Sequence, residues 1–334
     1  MIEYSFIIPV YNRPEEIREL LYSLRSQVHR QYFEVIIVED GSEKPSERVV
    51  SEFEEELTLQ YHTKKNEGPG PTRNYGAKHA KGKWIIFLDS DVIVPENYLE
   101  EVRNFLDKYH EIKAFGGPDR SHSSFSLIQK AISYSMTSFF TTGGIRGSRK
   151  SMEKFKPRSF NMGIRKEIFQ ESGGFSHLRF GEDLDFSLRL EKTGIKTSLI
   201  PEAFVYHKRR TKFNQFYKQV FNSGVARVVL SELHPGTMKL VHLLPAAFTF
   251  FHCFLLVGLV LHPSPLWLIP PVLFSLLILS DATVSNKNFW VGMLSIVAAY
   301  TQLFGYGLGF LKAFWRKYIL RKDIRYAYLE AFYE

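Results

Sequence analysis

At 334 residues, with 43 Lys and Arg against 35 Asp and Glu, the chain is basic and long enough for one large α/β domain plus further elements. Its single cysteine, Cys253, lies in an apolar run, which excludes a disulfide framework and a cysteine zinc site. Leu240–Ser280 and Asn288–Leu311 contain no Asp, Glu, Lys or Arg, and each run reaches the roughly 20 apolar residues that cross a bilayer core.

In chain order, Tyr4–Val10 is a short apolar run that predicts a strand leading straight into a polar motif, with no secretory signal pattern. Arg13–Gln27 has helical spacing, with Pro14 in its first turn and Asn12 placed to cap it. Apolar runs at Glu34–Val38, Leu57–His62 and Trp84–Leu88 predict three more strands. Gly68-Pro69-Gly70-Pro71 breaks the chain before a helix from Thr72 to Ala80, and Pro95 precedes a helix reaching Tyr109. The alternation predicts a mostly parallel sheet with helices on both faces, whose ligands bind beyond the carboxyl ends of the strands. Farther on, Ser124–Phe140 reads as an amphipathic helix and Thr197–Ile200 as a late strand. Between them Gly143–Arg158 is a basic, glycine-containing loop of a length that is usually functional or disordered.

Four polar clusters fall at predicted strand ends or farther along: Pro9-Val10-Tyr11-Asn12-Arg13, Glu39-Asp40-Gly41-Ser42, Asp89-Ser90-Asp91 and Gly181-Glu182-Asp183-Leu184-Asp185. Singly, each is what turns and helix caps look like. Their joint order, together with "NEGPGPTRNYGAKHAKGKWIIFLDSDV" and "FNMGIRKEIFQESGGF", resembles the family 2 inverting glycosyltransferases of the GT-A fold. The likeness runs from Ser5 to Arg210. It implies an α/β GT-A catalytic domain over residues 1–235, a nucleotide-sugar donor and transfer with inversion.

The resemblance also implies roles. Pro9, Tyr11, Arg13 and Asp40 match the family's base and ribose contacts, while Glu39 stands where a second aspartate is commoner and leaves the base open. Asn66, Gly68 and Arg73 match the segment that passes the donor, where a glycine-rich turn opening a helix offers N–H groups to phosphate. Arg73 is expected on the sugar or diphosphate, with Ser90 beside the donor. Asp89 and Asp91 form the DxD motif. A diphosphate leaving group has to be neutralised, a divalent ion does so as a Lewis acid, and Mg2+ or Mn2+ is expected there. Asp91 is the expected direct ligand, with Asp89 on the ribose or on a metal-bound water. His207, in "VYHKRRTKF", matches a histidine that many relatives place near the metal. Inversion needs one base within reach of the acceptor hydroxyl. Asp183 matches that base, with Asn161, Met162 and Glu182 assigned to the acceptor.

Lys208, Arg209, Arg210, Lys212, Lys218, Arg227 and Lys239 precede the first long apolar run, opposed only by Glu232. The positive-inside rule keeps this flank, and the catalytic domain with it, in the cytoplasm. No recognition module accompanies the charge, so nucleic acid is not an expected partner. Membrane helices are predicted at Leu240–Leu261, Leu266–Ser280 and Phe289–Leu311, within a membrane region 236–315 followed by a basic, aromatic tail 316–334. The middle helix is short and carries Pro270-Pro271, and Lys312, Arg316, Lys317, Arg321, Lys322 and Arg325 beyond the last one favour the inside, so two effective crossings and an inside tail are expected, the tail lying along the headgroups. Such an anchor, in contact with membrane lipid, points to a lipid-linked or other membrane-proximal glycan as acceptor. Polyprenyl phosphate itself is an alternative acceptor. A non-catalytic scaffold or sugar-nucleotide sensor is another reading, and Asp89, Asp91 and Asp183 together argue against it.

Overall fold

The computed structural model describes residues 2–28, 30–143 and 155–323. Its elements follow in the order β1 (Tyr4–Val10), α1 (Pro14–Arg25), β2 (Phe33–Asp40), α2 (Glu47–Ser51), β3 (Leu59–Lys64), α3 (Pro69–His79), β4 (Trp84–Leu88), β5 (Val92–Ile93) and α4 (Tyr98–Lys108). Next come β6 (Ala114–Gly116), β7 (Asp119–Arg120), α5 (Leu127–Thr137), α6 (Phe139–Thr142), β8 (Asn161–Arg165), α7 (Lys166–Glu171), α8 (Glu182–Lys192), β9 (Thr197–Leu199) and β10 (Val205–His207). Four long helices complete it: α9 (Phe213–Leu233), α10 (Leu240–Leu261), α11 (Ile269–Asn286) and α12 (Phe289–Phe314). The described residues form two compact units, one of residues 2–122 and 155–208, the other of 123–143 and 209–323.

The first unit is built on a seven-stranded sheet in the order β3-β2-β1-β4-β8-β6-β9. Only β8 runs against its neighbours, so the sheet is mostly parallel, as expected. Phe6, Ile8, Val35, Ile37 and Ile86 face one core, with Ile17, Leu20 and Leu24 of α1. Ile7, Ile36, Val38, Ile85 and Phe87 face the other, with Phe169, Phe175 and Phe186. Burial on both faces is why these strands read as continuous apolar runs rather than alternating ones. β2 and β3 lie to one side of β1 and β4 to the other, and such a reversal opens a crevice at the carboxyl ends of the strands. Tyr11–Arg13 and Asp89–Asp91 leave β1 and β4 at that crevice. A small second sheet, β5-β10-β7, pairs Val92 with His207.

Several local expectations change. The Gly-Pro-Gly-Pro segment is the first turn of α3 and not a break before it: Gly68, at φ +93, is the cap and Pro69 opens the helix. Proline there lacks only an N–H that a helix start leaves unpaired anyway. Asn12 does not cap α1. It adopts φ +54, and its side chain accepts from the N–H groups of Glu43 and Lys44 at 2.8 and 3.0 Å. The amphipathic helix expected over Ser124–Phe140 divides at Ser138, whose extended backbone ends α5 and whose hydroxyl caps α6.

In the second unit α5, α9, α10 and α11 all pack on α12. Gly305 and Gly309 of α12 face Val220 and Phe221 of α9, and Gly224 of α9 faces the Tyr306 carbonyl. Small residues at these crossings let the helix backbones approach closely. Among the described residues, three helices are long and apolar enough to cross a membrane: Leu240–Leu261, Pro265–Asn286 and Phe289–Ile319. The middle one is therefore not short. Pro270 and Pro271 sit in the first turn of α11, where they cost no hydrogen bond, and the helix continues past Ser280 to Asn286. Residues 144–154 of the basic loop and 324–334 of the tail lie outside the described residues.

At the amino end of the sheet Glu34 is fully buried and accepts from the Ser5 hydroxyl at 2.7 Å, the Lys81 N–H at 2.6 Å and the Gln60 amide at 2.8 Å. Glu34→Ala leaves these donors without an acceptor and should cost about 3 kcal/mol of stability. The expected readout is a clearly lower melting temperature of the full chain in detergent. An unchanged melting temperature would show that the network does not hold the sheet.

Candidate active site

Asp89 and Asp91 leave the end of β4, and His207 ends β10 opposite Val92. One ligand atom from each of these residues lies within 4.8 Å of the others, so the group can hold one metal ion. His207 Nε2 is 3.1 Å from Asp91 Oδ1, and its ring lies against Phe160 with centroids 5.1 Å apart. Two carboxylates and one imidazole suit an ion such as Mn2+, and the carboxylates also suit Mg2+. Arg13 donates from Nη1 to Asp91 Oδ2. Burial would raise the Asp91 carboxyl, but Arg13 and then His207 outweigh it and hold it well below the usual range. The carboxylate stays ionised, as a metal ligand must be.

Arg73 is buried and has two acidic partners. Its Nη2 donates to Asp89 Oδ1 at 2.7 Å and its Nη1 to Glu182 Oε1 at 2.8 Å. It thereby ties the DxD turn to the first turn of α8. Gly181, in the left-handed region at φ +76, turns the chain into that helix. The loop before it is held by Asn74, whose side chain makes two 2.8 Å bonds to the backbone of Phe175.

Asp183 follows directly. Its Oδ2 accepts from Arg158 Nε at 2.7 Å and its Oδ1 from the Leu184 N–H at 2.7 Å. Burial raises the Asp183 carboxyl, but Arg158 outweighs burial and keeps it below the usual range. Burial, then the Asp183 charge, push neighbouring Glu182 up to about 7 against the pull of Arg73. Two adjacent acids are thus driven apart, and Asp183 is the one that keeps its charge.

The remaining expected residues divide. Pro9 and Tyr11 are half-buried at the end of β1, Ser90 is buried within the DxD turn, and the Asn66 amide oxygen is 3.5 Å from Arg179 Nη1. Asp40 accepts from the Lys64 ammonium at 3.1 Å and from the N–H groups of Glu67 at 2.9 Å and Gly68 at 2.8 Å, and so shapes the loop that opens α3. Glu39 likewise accepts from the Ser42 hydroxyl and the Ser46 N–H, holding the turn after β2. Asn161 and Met162 are fully buried, because β8 lies between β4 and β6 with core on both faces; they do not line an acceptor surface. Asn161 accepts from the Tyr98 hydroxyl at 2.6 Å and donates to the Ala203 carbonyl at 2.8 Å, which fixes the approach to β10 and His207. Sequence reasoning did not single out Arg158 or Phe160 as site residues. Nothing in a basic loop reveals which acid one of its arginines will meet.

An α/β sheet reversing at an acidic pair, with a further acid at a helix start, is the GT-A glycosyltransferase architecture. A solved structure with this fold, the mannosyltransferase from Pyrobaculum calidifontis in complex with GDP-Man and Mn2+, superposes with a TM-score of 0.62 at 16% identity, covering 90% of this chain and 87% of that one. Residues 5–173 match the family model Glycosyl transferase family 2. An uncharacterized glycosyltransferase of Haemophilus influenzae is 32% identical over 243 residues, 70% of this chain and 78% of that protein. The chain belongs to glycosyl transferase family 2. Longer proteins match over part of their length. An uncharacterized glycosyltransferase of Rickettsia bellii is 37% identical over 130 residues, 39% of this chain and 18% of that one. The poly(ribitol-phosphate) beta-N-acetylglucosaminyltransferase TarS of Staphylococcus aureus is 35% identical over 114 residues, 33% of this chain and 20% of that protein. The matched stretch thus spans about a fifth of those two relatives.

Asp91→Asn and His207→Ala should each weaken Mn2+ binding by about tenfold or more. Asp183→Asn should leave it unchanged, since Asp183 is outside the group. Titration followed by the electron paramagnetic resonance of free Mn2+ reads this directly. Equal affinity in all these proteins would show that the three side chains do not form a metal site.

Proposed function

We propose that this family member transfers a sugar from a nucleoside-diphosphate sugar to a hydroxyl of a membrane-associated, lipid-linked glycan, with inversion, on the cytoplasmic side of a membrane. The observation that carries the reading is that Arg73 ties Asp89 of the metal-capable group to Glu182, the residue beside ionised Asp183. Mg2+ or Mn2+ held by Asp89, Asp91 and His207 would supply the Lewis acidity that neutralises a diphosphate leaving group.

The chain's own residues supply the rest. The Asp183 carboxylate takes the proton of the acceptor hydroxyl as that oxygen attacks the anomeric carbon from the face opposite the diphosphate. The bond from sugar to phosphate breaks and its electron pair leaves with the diphosphate. Pro9, Tyr11 and Arg13, at the end of β1, lie where the crevice at the sheet's switch point would take the nucleotide. The three apolar helices favour an acceptor at a membrane, and the basic flank before them favours a cytoplasmic catalytic unit. The likeness to TarS, whose name gives a poly(ribitol-phosphate) acceptor, supports a cell-envelope polymer as the substrate class.

The test is nucleoside diphosphate release by the full chain in detergent, with Mn2+ or Mg2+, across UDP- and GDP-sugars and with membrane lipid extract as acceptor. Asp183→Asn should lower kcat about a hundredfold or more while metal binding and melting temperature hold. Because Arg158 holds the Asp183 carboxyl below the usual aspartate range, its ionised form persists as pH falls, and the acid-side loss of rate should lie at lower pH than an ordinary aspartate would give. Near-normal turnover by folded Asp183→Asn removes Asp183 as the base. No turnover with any donor removes the enzymatic reading.

A further inference from the structure

The residues just before β8 are strapped along one face of α8. Lys156 Nζ lies 3.8 Å from Glu191 Oε2, the Pro157 carbonyl accepts from Ser187 Oγ at 2.6 Å, and Arg158 Nε donates to Asp183 Oδ2 at 2.7 Å. Positions 191, 187 and 183 are four apart, the spacing of a single helix face, so the strap runs antiparallel to α8. Phe155 anchors its start: a Cβ added at Gly116 would come within 2.8 Å of the Phe155 ring, so the ring fills the space that glycine leaves open. Packing and backbone contacts therefore deliver Arg158 to Asp183. This is not the chance meeting of two long surface side chains.

Arg158 spends only its Nε on that contact. Its two terminal amino groups make no hydrogen bond to any described residue, and its side chain is 30% exposed. A guanidinium fixed at one nitrogen, with both terminal amino groups unused by the described residues, keeps the planar fork that takes a phosphate by two parallel hydrogen bonds.

We propose that Arg158 reads a phosphate group on the acceptor, holding it through Nη1 and Nη2 while Nε stays on Asp183, so that a neighbouring acceptor hydroxyl is set against the base. The inference rests on Asp183 being that base. It also gives the strap a second effect. The charges around Asp183 are Arg158 from the strap and Arg73 from α3, which lower its proton affinity, and Glu182 beside it, which raises it; Asp89 also faces Arg158. An acceptor phosphate on Arg158 offsets the largest of the lowering charges. Asp183 then becomes a stronger base when the acceptor is in place, and no bond beyond those of the transfer is made or broken.

Calorimetry on the full chain in detergent tests this with glycerol 3-phosphate as the soluble probe, decyl phosphate in the micelle as the lipid-borne one, and glycerol as the neutral control. Glycerol should not bind. At least one phosphate probe should bind, and which of the two does so shows whether a soluble or a lipid-borne phosphate is read. Arg158→Ala should weaken that binding about tenfold or more, and Arg158→Lys should retain part of it. Binding of nucleoside diphosphate with Mn2+ should be the same in all three proteins. A second readout is the pH profile of donor turnover, whose acid limb should move to higher pH in Arg158→Ala and stay near wild type in Arg158→Lys; a purely structural arginine would not move it. Arg158→Gln, which keeps most of the stem, replaces the alanine variant if that one does not fold. If neither phosphate binds, if the arginine variants bind it as the wild type does, or if the acid limb stays put, the proposal is overturned while intact nucleotide binding leaves the proposed function standing. A wild-type chain that binds no nucleotide and turns over no donor overturns that underlying reading instead.

Discussion

The catalytic unit depends on one buried guanidinium. Arg73 reaches Asp89 with one arm and Glu182 with the other, and the two acids belong to elements far apart in the chain. Leaving a buried charge unpaired costs on the order of 3–5 kcal/mol, several times an ordinary loop hydrogen bond. The DxD turn and the first turn of α8 therefore cannot drift independently. The tie is itself supported: the guanidinium carbon lies 5.5 Å from the Phe175 ring centre, and Asn74, the next residue on α3, clasps the Phe175 backbone. Lysine could not replace Arg73, because a single ammonium lacks two separated donor arms.

What Arg73 joins, the sheet has already aimed. The reversal of strand order between β1 and β4 puts the ends of both strands at one crevice, and β5, two residues long, turns back from Asp91 to pair with β10 and bring in His207. Asn161 fixes the chain ahead of β10 from beneath. That role needs a buried amide with both ends bonded, which is why the side chain is in the core and not on an acceptor surface.

The four leading strands were legible because burial on both faces writes an unbroken apolar run, and the acids were legible because they stand where those runs stop. β9 was also read, at Thr197–Ile200, but β5, β6, β7 and β10 were not, since two or three residues carry no period. Pro69 and Pro270-Pro271 misled in the same way: proline was read as a break, and its tolerance of a helix's first turn makes it a start. The contacts of Asp40, Asn161 and Arg158 were not legible for another reason. Their partners lie tens of residues away, so the sequence gives the type of side chain and not what it spends its hydrogen bonds on. In Asp40 the bonds go to shaping a loop, and in Arg158 to the acid matched to the family's base.

Set side by side, the ion pairs of the cleft follow one rule. Asp91 is met by Arg13, Asp89 by Arg73 and Asp183 by Arg158, three arginines from three different segments. Carboxylates crowded into a part-buried crevice would otherwise take up protons to relieve their mutual repulsion, as Glu182 begins to do near neutral pH. A protonated acid neither binds a divalent ion nor accepts a proton. Arg13 and Arg158, permanently charged, hold Asp91 and Asp183 in the ionised state, while Glu182, which shares Arg73 with Asp89, is left with a proton affinity near 7. The arginines are thus as much a condition of the chemistry as the acids themselves, although only the acids form a motif that a sequence displays.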